Sequence, residues 1–144
     1  MNISMLTTSR RIHFDAAHRV IGHENKCRNL HGHRFVLEVS FTASEVDSVG
    51  RIIDFGVVKE ILGAWIEENW DHNVVLARAD MNLGEKISAI THQNIFYLEV
   101  NPTAENLAEY LMNEVCPKLF AGLNVVCTKI KLYETPNCFV EVSK

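Results

Sequence analysis

Residues 14–35 read FDAAHRVIGHENKCRNLHGHRF, and within sixteen of them fall His18, Cys27, His31 and His33. In a strand, residues two apart face the same side, so His31 and His33 project together with Phe35, Leu37, Val39 and Phe41. Upstream, Ile12, Phe14, Ala16 and His18 alternate in the same way, which puts His18 on the apolar face of a preceding strand. If the two strands pair antiparallel around the loop from Val20 to Leu30, the three imidazoles meet across the ladder. Gly32, between the paired histidines, fits a place where backbone or ligand approaches closely.

Imidazole is a common ligand for a borderline metal such as Zn²⁺, and three protein ligands leave one tetrahedral position for water or substrate. The cluster therefore has the composition of a catalytic zinc site. Cys27 leaves an alternative open: with His18, His31 and His33 it would complete a closed structural site. A lone histidine on an apolar face is more often a hydrogen-bonded core residue; the His31/His33 doublet is what lifts His18 out of that class. His13, out of phase with the apolar positions, and His92, in a polar stretch, read as surface residues. His23 lies beside Cys27 and either supports the site or has no part in it.

Working outward, the two strands are expected near Arg10–His18 and His33–Ala43, with a turn at Asp47–Gly50. Asp54 can cap a helix whose apolar stripe is Phe55, Val58, Leu62, Trp65 and Ile66. Ala77–Val100 reads as an irregular insert. After Asn101-Pro102 a second helix opens with Thr103 and Glu105 in its first turn and shows Leu107, Tyr110, Leu111, Val115 and Leu119; Pro117 is expected to kink or shorten its end. Two last strands, near Val125–Glu134 and Cys138–Val142, flank a Thr135-Pro136-Asn137 turn. The expected fold is α+β: a four-stranded antiparallel sheet with two helices on one face, whose unpaired edges invite oligomerisation.

Three further positions carry chemistry. Cys27 has Lys26 and Arg28 as neighbours and a metal nearby, all of which lower a thiol pKa toward a usable thiolate. Asp71 and His72 follow the first helix, where an aspartate can fix an imidazole's tautomer for proton transfer; an exposed helix end would look the same. Glu134 falls in phase with Ile130 and Leu132, and a carboxylate on an apolar face needs a partner: a pair of ligand N–H donors, or a lysine or arginine. Cys116, Cys127 and Cys138 read as small buried hydrophobes.

At 144 residues and 47% hydrophobic, with no internal composition shift, the chain is expected to form a single domain over residues 1–144. The net charge of −4 leaves no electrostatic footprint for nucleic acid. The N-terminal MNISMLTTSRR lacks the apolar centre of a signal peptide, and no stretch approaches the roughly 18 apolar residues of a membrane span. Four cysteines without C-x-x-C spacing argue for a reducing compartment. A soluble, cytoplasmic protein without a membrane partner is expected.

FDAAHR, CRNLHGH, WDHN, NPTAEN and YET occur in this order between Ile12 and Val142, and together they resemble the 6-pyruvoyl-tetrahydropterin synthase superfamily. The four-residue step from Cys27 to His31 is similar to that of the carboxy-forming bacterial members; the pyruvoyl-forming animal members have a longer one. The resemblance implies that His18, His31 and His33 bind Zn²⁺, that Cys27 is the catalytic thiol and that Asp71 with His72 forms a proton relay. It also implies that Glu134 anchors a pterin ring, with Thr103 as a further substrate contact. The implied reaction starts from 7,8-dihydroneopterin triphosphate and expels triphosphate; in carboxy-forming members a retro-aldol step also releases acetaldehyde, on the route to queuosine and other deazapurines. The implied fold is the tunnelling fold, in which three subunits close a barrel and two trimers stack into a homohexamer with active sites at subunit interfaces. The insert is longer than the resemblance leads one to expect, and a protein of this fold that binds pterin or zinc without turnover stays open as an alternative.

Overall fold

A computed structural model describes residues 5–144, so Met1–Ser4 of the expected domain, and of the N-terminal MNISMLTTSRR stretch, lie outside the described residues. Along the chain run β1 (Thr8–His18), β2 (His31–Thr42), α1 (Phe55–Asn69), β3 (Asn73–Ala77), α2 (Met81–Thr91), β4 (Phe96–Leu98), α3 (Ala104–Tyr110), α4 (Cys116–Leu119), β5 (Val126–Thr135) and β6 (Cys138–Ser143). The strands form one six-stranded sheet in the order β4-β3-β1-β2-β5-β6. The first pair is antiparallel as expected, with His18 opposite His31 and Ala16 opposite His33. β5 and β6 extend it antiparallel on the β2 side, while β3 and β4 add in parallel on the β1 side.

The expected four-stranded antiparallel sheet is therefore corrected to a six-stranded mixed one. The two extra strands come from in and around the segment read as irregular. Val74–Ala77 is buried throughout. A strand covered on both faces shows a continuous apolar run in place of alternation, so its period carries no signal. The insert itself holds α2 and β4. α2 lies close to β4: a Cβ at Gly84 would collide with the Tyr97 hydroxyl, so only glycine allows this approach.

α1 starts where Asp54 accepts the Gly56 N–H at 2.7 Å, and it buries Val58, Leu62 and Ile66. Phe55, at its first position, is exposed. α3 continues through a π-helical turn, Leu111–Val115, into α4. Pro117 follows this π-helical turn closely and the helix ends at Leu119, in keeping with the expected kink or shortening; Leu111, Met112 and Val115 stay buried.

α1, α3 and α4 pack on one face of the sheet, and Phe14, Phe35, Leu37, Leu62, Trp70, Leu111, Ile130 and Leu132 belong to the core there. Cys116 belongs to that core. Cys127 is half-buried, and Cys138, at the start of edge strand β6, is exposed, which corrects its reading as a buried hydrophobe. No helix among the described residues is long and apolar enough to cross a membrane.

Candidate metal centre and substrate groove

The apolar alternation of β1 and β2 ends in histidines, and the ladder brings them together. His18 is buried and His31 and His33 are half-buried, each offering a ring nitrogen to a group whose members all lie within 4.8 Å of one another. Phe35 forms a floor beneath His18 and His33, with ring centroids 5.9 and 5.6 Å away.

The hydrogen bonds define the tautomers. His18 donates its Nδ1–H to the Pro102 carbonyl at 2.7 Å, and His31 donates its own to the Asn29 carbonyl at 2.7 Å. In the neutral rings each Nε2 then carries a lone pair, and the two Nε2 atoms face each other at 3.2 Å. His33 Nε2 is buried without a hydrogen-bond partner. Acceptors converging without a donor call for a cation, and tetrahedral zinc–imidazole bonds would set nitrogens about 3.3 Å apart. Burial lowers the pKa of His18 even though the Pro102 carbonyl and Glu134 pull it upward, and burial likewise lowers His33. The direction of both shifts favours the neutral form, which is the form that binds a metal.

Cys27 lies on a 3-10 turn, Lys26–Arg28, and its sulfur is not within the reach that unites the three histidines. The closed four-ligand arrangement is not formed, and a position toward the groove stays open.

Glu134 occupies the irregular step in the β5–β6 register between Tyr133 and Thr135. Its Oε1 comes to 3.5 Å from His33 Nε2. No lysine or arginine pairs with it among the described residues. A groove of about 610 Å³ is lined by His33, Arg34, Tyr133, Glu134 and Thr135.

Asp71 and His72 are tied to β1. Asp71 Oδ1 accepts the Asp15 N–H at 2.9 Å, Oδ2 lies 3.0 Å from His72 Nδ1, and the His72 N–H donates to the Asp15 carbonyl at 2.6 Å. Burial alone would raise the Asp71 pKa, but the Asp15 amide, His72 and Arg34 outweigh it and the pKa is lowered. His72 adopts a left-handed backbone, φ 57°, and its ring stands in solvent. It shares an open groove of about 440 Å³ with His33, Arg34, Asp15 and Gln93. The structure thus brings Glu134 and His72 to opposite sides of His33 in one chain, while Cys27 lines neither groove.

Thr103 is occupied otherwise: its hydroxyl caps α3 by accepting the Asn106 N–H at 3.1 Å. His13 and His92 are exposed as expected, and His23 Nδ1 accepts the Asn25 N–H within its own loop. Sequence reasoning missed Asp15, Gln93 and the carbonyls of Pro102 and Asn29. Asp15 could have been found inside FDAAHR as a polar residue on the same strand as His18; the carbonyls leave no side-chain signal.

Three imidazoles converging at the end of a helix-backed sheet, beside a groove, form a candidate metal centre on an α+β fold. The family model for 6-pyruvoyl tetrahydropterin synthase matches residues 7–144, and the chain belongs to that family. A 6-carboxy-5,6,7,8-tetrahydropterin synthase of Rickettsia felis is 53% identical over 138 residues, covering 96% of this chain and 100% of the relative. Among solved structures, an uncharacterized protein of Wolinella succinogenes superposes with a TM-score of 0.84 at 20% identity, over 99% of both chains. The 6-pyruvoyl tetrahydropterin synthase of Caenorhabditis elegans gives 0.68 at 22% identity, over 100% of this chain and 99% of that one. These two share the fold; the family match and the rickettsial relative make the chain an enzyme, a lyase of this family.

Proposed function

We propose that the protein is a zinc-dependent 6-carboxy-5,6,7,8-tetrahydropterin synthase, converting 7,8-dihydroneopterin triphosphate to 6-carboxytetrahydropterin, acetaldehyde and triphosphate in the queuosine and deazapurine pathway. The observation that carries the reading is the convergence of ring nitrogens from His18, His31 and His33 beside Glu134, in a chain 53% identical to a protein bearing that name. The donor set suits zinc, which when bound supplies Lewis-acid polarisation of the substrate side chain.

The chain's own residues do the rest. Glu134 accepts two parallel hydrogen bonds from the exocyclic amine and ring N–H of the pterin, which fixes the ring beside the centre. Cys27, as thiolate, takes a proton from the substrate side chain. His72, whose Nδ1–H is held by Asp71, exchanges a proton at Nε2. Thr103, already engaged as a helix cap, is left out of this assignment.

The same reading makes the working protein a cytoplasmic homohexamer, a dimer of trimers, with a small-molecule pterin as its partner and neither nucleic acid nor membrane. The sheet supports association, because β6 and β4 leave unpaired edges. Incubation of the zinc-loaded protein with 7,8-dihydroneopterin triphosphate, with mass identification of products, tests the proposal. Acetaldehyde and 6-carboxytetrahydropterin are expected. A 6-pyruvoyl product without acetaldehyde would make it a pyruvoyl-forming member, and no turnover would leave a pterin- or zinc-binding protein.

A further inference from the structure

The loop that carries Cys27 has almost no apolar anchorage. None of Lys26–Arg28 is buried, and Ile21 and Leu30 are 42% and 47% exposed. Exposed loops without buried contacts open at low free-energy cost, so polar ties at the base of this one decide where the thiol sits.

Those ties fall on consecutive residues. His18 is held by the Pro102 carbonyl, and Arg19 forms a two-pronged ion pair with buried Asp80 at the start of α2. The Val20 N–H donates to the Cys27 carbonyl at 2.9 Å. Ile21 is gripped on both backbone groups by one side chain: its N–H donates to Asn101 Oδ1 at 3.0 Å, and Asn101 Nδ2 donates to its carbonyl at 2.8 Å. The Asn101-Pro102 turn is itself stiff. Proline fixes its own φ, and the Asn101 carbonyl accepts both the Thr103 N–H and Asn106 Nδ2 at 2.9 Å.

One rigid turn therefore holds the first histidine through Pro102 and the thiol loop through Asn101. We propose that Asn101 is a positioning residue, which through Ile21 and the Val20–Cys27 bond sets the register of Cys27 against the histidine centre. The inference rests on the function proposed above for Cys27. A misplacement of about 1 Å in a catalytic group costs on the order of 10²-fold in rate, so the effect belongs in kcat and not in metal or substrate binding. The side chain of Asn101 serves only the loop, while the α3 contacts are made by its main chain, so removing the amide leaves the helix start intact.

The test compares Asn101→Ala and Asn101→Asp with the parent protein. The aspartate keeps an acceptor for the Ile21 N–H and loses the donor to its carbonyl. In Asn101→Ala, kcat is expected to fall by about 10²-fold with KM within about threefold. Zinc content should be unchanged, and amide exchange at Val20 and Ile21 should quicken by about tenfold or more. Asn101→Asp should fall between. Unchanged kcat despite faster exchange would overturn the positioning role, unchanged exchange would overturn the clamp, and loss of zinc would transfer the role to the metal centre. A parent protein without turnover overturns the function itself, and shows this before either variant is made.

Discussion

His18 and His31 point their Nε2 atoms at each other across the β1–β2 ladder, 3.2 Å apart, while each gives its Nδ1–H to a main-chain carbonyl. The pairing His18↔His31 in the strand register produces the contact, and the carbonyls of Pro102 and Asn29 aim the lone pairs. Side by side in an apolar corner such lone pairs would repel, and a divalent cation bound between them would turn that repulsion into coordination.

Removing one ligand should release the metal. His31→Ala is expected to reduce zinc from about one per chain to near none, since two imidazoles hold it far less well than three. Metal analysis of the purified variant decides this, and full occupancy would remove the site as described.

Cys27 stands outside the ligand group, so its loss should separate chemistry from metal binding. Cys27→Ala is expected to keep zinc and bind substrate while kcat drops by roughly 10²- to 10⁴-fold, the range of a lost acid–base group. Metal loss in this variant would mean that the thiol coordinates after all.

These two outcomes depend on features that were plain in the sequence, for a physical reason. β1 and β2 have one buried face each, so their alternation exposes both the strand and the out-of-place polar residues at its end, His18, His31 and His33. Glu134 stood out in the same way on β5. β3 and β4 did not: one is apolar on both faces and the other is three residues long, so neither shows a period. The ties that set the site are hidden for another reason. Pro102 and Asn29 act through carbonyls, and Thr103 in a motif looks equally like a ligand contact or the helix cap it proves to be.

Glu134 should matter for the pterin and not for the metal. Glu134→Gln removes the charge and sets an NH₂ against a ring donor, so substrate affinity is expected to fall by at least about tenfold. Zinc content should hold. Titration of the zinc-loaded variant with a substrate analogue checks it, and unchanged affinity would leave Glu134 as a partner of His33 alone.

The Asp71 tie predicts an acid limb in stability. Its folded-state pKa is lowered by the Asp15 amide, His72 and Arg34 against the opposing effect of burial. A depressed carboxyl stabilises the fold above its unfolded pKa of about 3.9, and the contribution disappears as pH falls through the lower folded value. Asp71→Asn should therefore lower stability near neutral pH and flatten the loss below about pH 4. Urea unfolding across that range reads it; parallel curves for variant and parent would show that the tie contributes nothing.

His72 opens onto the groove beside His33, whereas Cys27 lines no groove with either of them in the same chain. In the proposed hexamer, Cys27 and His72 would then meet across a subunit interface, each active site taking one from each neighbour. Inactive Cys27→Ala and inactive His72→Ala proteins, unfolded and reassembled together, would form some interfaces in which both residues are intact. Their mixture should regain a fraction of parental activity that neither variant shows when refolded alone. Random assembly caps the recovery at about a quarter of the sites, because each intact site needs an unmutated residue from both contributing chains. Acetaldehyde release after refolding, measured against the separately refolded variants, gives the result. Activity no higher than in the separate controls would put the thiol and the relay in one subunit, and the loop bearing Cys27 would then have to fold over the groove of its own chain.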